Sequence, residues 1–189
     1  MSKLFKISFA SILLIATSYT ATAQVIVNGN GAARDCYMSA KLGNIGTISA
    51  IKKCETALSD TLSIKDIVAT HTNIGVLLMR KGDYAEAQSH YERAINIKPK
   101  TAETYINYGA SLIHSGDFQK AISVINTAID LETEKMPEAL FNRAMAYDRL
   151  KNYKGAYKDL KQALILKPEW PAAQRAIQNY NVTTRSTAN

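Results

Sequence analysis

Small side chains recur along this chain at a nearly fixed interval, and that interval predicts its elements. Gly75, Gly109 and Ala144 form one column, Ala87, Ala121 and Ala156 a second, and Ala94, Ala128 and Ala163 a third; each column steps by 34 and then 35 residues. A period near 34 predicts stacked helical hairpins. Two helices approach closely only where side chains are small, so the Gly or Ala of the first helix should face an Ala of the second, with larger apolar residues filling the space between hairpins. Nine residues after each member of the first column stands an aromatic (Tyr84, Phe118, Tyr153), preceded by Gly82-Asp83, Gly116-Asp117 and Lys151-Asn152. This segment reads as a turn: Gly permits the left-handed conformation that ends one helix, and Asp can cap the next. Pro99 and Pro168 then stop the second helix of their hairpins.

The flanks continue the pattern in weaker form. Residues 32–59 read as a degenerate hairpin: an Ala-rich helix through about Leu42, a Gly43-Asn44-Ile45-Gly46 turn, and a helix with Ala50, Cys54 and Ala57. Ala50 and Ala57 repeat the seven-residue spacing of Ala87 and Ala94. Ser63-Ile64-Lys65-Asp66 looks like a capping box that opens the first clear repeat. After Trp170, Pro171 begins a short amphipathic stretch with Ala173, Ala176, Ile177 and Tyr180 on one side, the capping helix that a solenoid needs over its last apolar face. The tail from Thr183 to Asn189 is polar and is expected to be disordered.

Across roughly residues 68–170 the motif resembles the tetratricopeptide repeat, whose pattern is an aromatic, Leu-Gly, Tyr, then Ala, an aromatic and Pro. The first copy reads His71, Ile74-Gly75, Leu78, Ala87, Tyr91 and Pro99. The second reads Tyr105, Tyr108-Gly109, Leu112, Ala121 and Ile125, with Thr133 in place of Pro; the third reads Leu140, Arg143-Ala144, Tyr147, Ala156, Leu160 and Pro168. No copy has the signature Trp. The resemblance implies an all-α, right-handed solenoid of such hairpins with a carboxy-terminal capping helix. With its flanks, the chain is expected to divide into a leader (1–23), read from the amino-terminal residues below, a short mature segment (24–31), the degenerate hairpin and connector (32–67), repeats at 68–101, 102–136 and 137–170, the cap (171–182) and the tail (183–189).

The amino terminus changes the setting. Lys3 and Lys6, an apolar run from about Ile7 to Ala16 and the ending Ala21-Thr22-Ala23 read as a secretory signal peptide cleaved before Gln24. The run is too short to span a bilayer as a helix. No Cys stands at the expected mature start, which argues against a lipid anchor. A processed chain of about 166 residues in the periplasm or outside the cell is therefore expected. The full chain has 23 basic and 16 acidic residues; loss of the leader's two lysines leaves a net charge of about +5. That mild excess, on an exported chain, does not point to nucleic acid. Lys151, Lys154, Lys158 and Lys161 form a stripe away from Ala156, Leu160 and Ala163, expected on the outer face as solubilising charge.

Cys36 and Cys54 are the only cysteines, and an even count in an exported chain favours a disulfide. Such a bond would join the two helices of the degenerate hairpin and contribute about 3 kcal/mol. Free thiols or a metal site are the alternatives, and two Cys without nearby His make metal the weaker of them. No cofactor or metal is expected.

No catalytic constellation emerges. There is no Gly-rich phosphate loop, no metalloprotease His-Glu pair and no nucleophile elbow, so a non-enzyme is expected. His71 takes the large-residue packing slot that Tyr105 and Leu140 fill elsewhere. A polar column does stand out: Asn73, Asn107 and Asn142 each lie two residues before the first small column. In the family that the chain resembles, this face lines a concave groove, where an amide can both donate to and accept from an extended peptide backbone; the same amides can instead bond neighbouring helices. Val76, Met79, Ile106, Ile113, Phe141 and Met145 would form an apolar floor, about half of it core. Arg80, His114 and Arg149 would form a basic edge, with Glu103 and Glu138 toward the opposite end of their helices. The Lys-and-Asn clamp for a terminal carboxylate used by cytosolic chaperone co-factors of the family is not matched, because Thr72 and Phe141 stand where Lys would be sought. The expected function is an exported adaptor that binds a peptide segment of an envelope protein in its groove. A self-assembling envelope protein and an accessory subunit of a cell-wall enzyme are the alternatives.

Overall fold

The computed structural model describes residues 6–8, 31–42 and 47–183. The described residues form helices α1 (Ala32–Leu42), α2 (Thr47–Leu58), α3 (Ile64–Lys81), α4 (Tyr84–Ile97), α5 (Ala102–Ser115), α6 (Phe118–Asp130), α7 (Met136–Arg149), α8 (Tyr153–Leu166) and α9 (Pro171–Ile177). Two three-residue strands, β1 (Lys6–Ser8) and β2 (Asn181–Thr183), pair antiparallel. Residues 1–5 and 9–30, which hold most of the expected leader and the short segment after it, the expected turn at 43–46 and residues 184–189 of the expected tail lie outside the described residues.

Helices pair in order, α1 with α2, α3 with α4, α5 with α6 and α7 with α8, and each hairpin packs on the next. The seven alanines of the three columns are all completely buried. Gly75 and Gly109 face bulk rather than alanine alone. A methyl group on Gly75 would overlap the Tyr91 ring, and one on Gly109 would overlap the Ile125 side chain. The small column thus lets a large residue of the second helix lie against the backbone of the first.

The turns follow local chemistry. Gly82 (φ 93°) and Gly116 (φ 88°) are left-handed, and the amides of Asp83 and Asp117 reach back to the carbonyls of Leu78 and Leu112. In the third repeat a non-glycine, Lys151 (φ 61°), takes this conformation. Asp117 and Asn152 cap through their side chains, accepting from the amides of Lys120 and Gly155 at 3.3 and 3.1 Å. Asp83 departs from its expected role: its carboxylate makes no cap bond and pairs with Lys81 at 2.6 Å. Ser63 caps α3, its Oγ accepting from the amide of Asp66 at 3.1 Å and donating to Asp66 Oδ2 at 2.7 Å, so the two side chains of the expected box meet each other.

Curvature comes from unequal packing. The first helices touch along an inner row, α3 against α5 and α5 against α7, while α4, α6 and α8 make no comparable contact with one another. The first helices therefore line the inside of the curve and the second helices its outside. At the amino-terminal end Cys36 and Cys54 are disulfide-bonded, with Cα atoms 4.6 Å apart, and both are fully buried. At the other end α9 covers α8, and Tyr180 packs near Tyr153 and Tyr157 while donating to Asp148 Oδ1 at 2.5 Å.

Candidate functional site

The inner row is where the candidate residues converge, and depth sorts them. Asn73, Asn107 and Asn142 are 1%, 0% and 0% exposed, so the amide column is enclosed between helices. Asn73 Nδ2 has no hydrogen-bond partner among the described residues, whereas Asn107 and Asn142 are both engaged. A peptide laid along the inner row would reach these amides only after the side chains above them moved.

The apolar positions divide unevenly. Val76, Met79, Ile106 and Phe141 are buried, and Ile113 and Met145 keep partial exposure. Tyr91 Oη donates to Met79 Sδ at 3.2 Å, and Phe141 packs on Trp170 with ring centroids 4.8 Å apart. More of the expected floor is therefore core than surface.

The edge is reshaped by burial. Arg80 and Arg149 are exposed, and His114 is half-buried with its ring stacked on Tyr84 at 5.2 Å. Desolvation lowers the His114 pKa below its ordinary value, which favours the neutral ring at neutral pH. The positive charge of this edge then rests on the two arginines. At the other end of α7, Glu138 accepts from Lys167 Nζ at 3.1 Å, and Glu103 is partly exposed.

Several polar contacts went unread in the sequence. The Nδ1 atoms of His71 and His90 lie 3.1 Å apart, linking α3 to α4. Burial is the main cause that lowers both pKa values, His90 to about 4, with Arg93 adding repulsion. Thr72 and Thr104 hydroxyls meet at 2.9 Å between α3 and α5. Arg143 donates to Asp159 through Nε and Nη2 at 2.7 and 2.9 Å and to Asn126 through Nη1 at 2.7 Å, joining α6, α7 and α8. Tyr108 donates to Glu92 across adjacent hairpins. The Arg143–Asp159 spacing equals that of Gly75 and Tyr91, so alignment of the two helices of a hairpin could have found it. No group of three or more potential metal ligands gathers among the described residues, and none of their helices is long and apolar enough to cross a membrane.

The repeat geometry and its register agree with the comparison to known families. Residues 66–134 and 137–170 match two family models, each described as tetratricopeptide repeat. The chain belongs to the tetratricopeptide repeat family. No curated protein matches it. Similar solved structures include the tetratricopeptide repeat domain of Arabidopsis OM64, at 24% identity and TM-score 0.58, covering 61% of this chain and 95% of that one. The second such domain of human RPAP3, in complex with an HSP70 peptide, matches at 20% identity and TM-score 0.57, covering 61% and 96%. MamA from Desulfovibrio magneticus RS-1 matches at 16% identity and TM-score 0.62, covering 78% and 82%. At these identities the likeness is one of fold.

Proposed function

We propose that this tetratricopeptide repeat protein is a non-catalytic adaptor of the cell envelope that holds a peptide segment of another protein along its inner row. The observation that carries the reading is the curvature itself: α3, α5 and α7 present one side in register, with Arg80 and Arg149 exposed at equivalent places on the first and third. A peptide there would meet the partly exposed Ile113 and Met145 and two fixed positive charges, which favours apolar side chains beside an acidic group. The bound peptide of the RPAP3 domain shows that a neighbour of this fold takes such a ligand. Asn73, whose side-chain nitrogen has no partner among the described residues, is the amide best placed to reach a peptide backbone should the wall open; Asn107 and Asn142 are already engaged. Export rests on the leader-like amino terminus.

The test is cross-linked capture from envelope extract with the wild type and with Arg80→Glu/Arg149→Glu, a surface change that leaves the core intact. A partner retained by the first and lost by the second supports the groove. Equal capture by both moves the interface elsewhere. A second reading, self-assembly, draws on Met38, Leu42 and Ile48 of the first hairpin, which are 37%, 55% and 72% exposed. Sedimentation at rising concentration separates the two: a constant monomer mass removes self-assembly.

A further inference from the structure

The outer row is not uniform, and its last helix differs from the others in kind. Exposed residues on α4 include Glu86, Glu92 and Arg93, and those on α6 include Lys120 and Asp130, so both signs are present. On α8, Lys154, Lys158 and Lys161 are exposed, as is Lys151 in the turn before it, and none of the four makes an ion pair among the described residues. The one carboxylate of α8, Asp159, is 4% exposed and turned inward to Arg143. Inward commitment of that acid leaves the outer face of the helix uniformly positive.

The stripe also continues into apolar residues. Lys154, Lys158, Lys161 and Ile165 are spaced by four, three and four residues, which places them on one side of a helix over about 16 Å. Ile165 is 61% exposed and its neighbour Leu166 is 49% exposed. A merely solubilising surface gains nothing from an isoleucine at its end. An acidic polypeptide or other polyanion would use the lysines but has no need of Ile165. A bilayer of anionic phospholipid uses both, because phosphate groups meet the ammonium ions while acyl chains lie just beneath to receive the apolar residues. The outside of the curve, on which α8 lies, also suits a broad surface better than a thread of peptide.

We infer that the outer face of α8 is a docking surface for an anionic phospholipid bilayer, peripheral and reversible, leaving the inner row free for a protein partner. Each lysine near a charged membrane is worth about fivefold in affinity, so loss of three lowers binding roughly a hundredfold. Loss of Ile165 from the interface lowers it about tenfold.

The test is flotation of the processed protein with vesicles of phosphatidylcholine containing 30% phosphatidylglycerol, beside pure phosphatidylcholine. The expected result is binding to the anionic vesicles alone, reduced about a hundredfold by Lys154→Gln/Lys158→Gln/Lys161→Gln and about tenfold by Ile165→Gln. Lys52→Gln/Lys53→Gln/Lys65→Gln removes the same charge from exposed positions on the far hairpins and should lower binding far less. Circular dichroism checks that each variant keeps its helices. Equal binding to both vesicle types, equal loss in the two triple variants, or no binding at all would overturn the assignment. So would an unchanged Ile165→Gln variant whose vesicle binding is abolished by polyglutamate, an outcome that assigns the stripe to an acidic polypeptide.

Discussion

The first hairpin and the three regular ones solve one problem by different means. Each must hold two antiparallel helices at close range. In α3–α4 and α5–α6 a glycine admits Tyr91 or Ile125 against the opposing backbone. In α7–α8 the corresponding pair is Ala144 and Leu160, both fully buried, supplemented by the Arg143–Asp159 ion pair. The α1–α2 hairpin has no large residue in that place: its fully buried side chains are Cys36, Ala50, Cys54 and Ala57, and the disulfide supplies the link. A terminal hairpin packs on one neighbour only and buries less apolar surface, so a covalent bond replaces part of what packing contributes inside the array.

This contrast can be broken at several points. The largest effect is expected from Arg143→Met, which leaves the buried carboxylate of Asp159 without its guanidinium and should cost about 3–4 kcal/mol. Denaturant unfolding reads it, and a loss below about 1 kcal/mol would show that the pair adds little to the third repeat. Cys36→Ala/Cys54→Ala should cost about 3 kcal/mol, with faster amide exchange in α1 and α2 and little change in α7 and α8. Exchange that rises equally everywhere would mean that the hairpins unfold as one unit. The native cysteines should also resist alkylation unless reductant is added.

Gly75→Ala sharpens the same point without touching charge or covalent bonds. The added methyl must displace the buried Tyr91 ring, at a cost of about 2 kcal/mol. Gly82→Ala meets nothing in space but keeps a positive φ, so it should cost about 1 kcal/mol through the backbone alone. Similar losses at both glycines would remove the packing explanation.

The smallest effect is pH-dependent and belongs to the first regular hairpin. His71 and His90 resist protonation when folded, with His90 lowered to about 4, while unfolded histidine titrates near its ordinary 6.5. Acid therefore favours the unfolded chain: the contribution is whole above about pH 6.5 and is lost as pH falls toward about 4. A Tm decrease of about 2–4 °C per kcal/mol is expected across that window, against a flatter profile for His71→Leu/His90→Leu. The charged groups acting on the pair are the two rings themselves and Arg93. Identical profiles in the two proteins would remove the pair as the cause.

Legibility in the sequence followed locality. The three columns, the Gly82 and Gly116 turns, the Ser63 box and the stop before Pro99 and Pro168 all follow from residues close in the chain or from a simple period. Asp83 shows the limit of that reasoning, since the same motif that caps in Asp117 pairs with Lys81 instead. The floor of the candidate site was less legible. Val76, Ile106 and Phe141 sit at regular helical spacing, but spacing does not say how near the next helix comes. His114 has the same difficulty, because its protonation depends on how far it is buried, and the ring it stacks on, Tyr84, is thirty residues away.

By itself the sequence determined a stack of helical hairpins and the side of each helix that is buried, because period, small residues and turn chemistry act within one hairpin; it favoured a Cys36–Cys54 bond, and the structure shows it. Only the tertiary structure decided that the amide column is enclosed, that Asp159 turns inward to Arg143, and that the α8 lysines have no ion-pair partner among the described residues and stand beside an exposed Ile165. Those outcomes depend on the distance between successive hairpins, and that distance is set by how all of their side chains fill the space together.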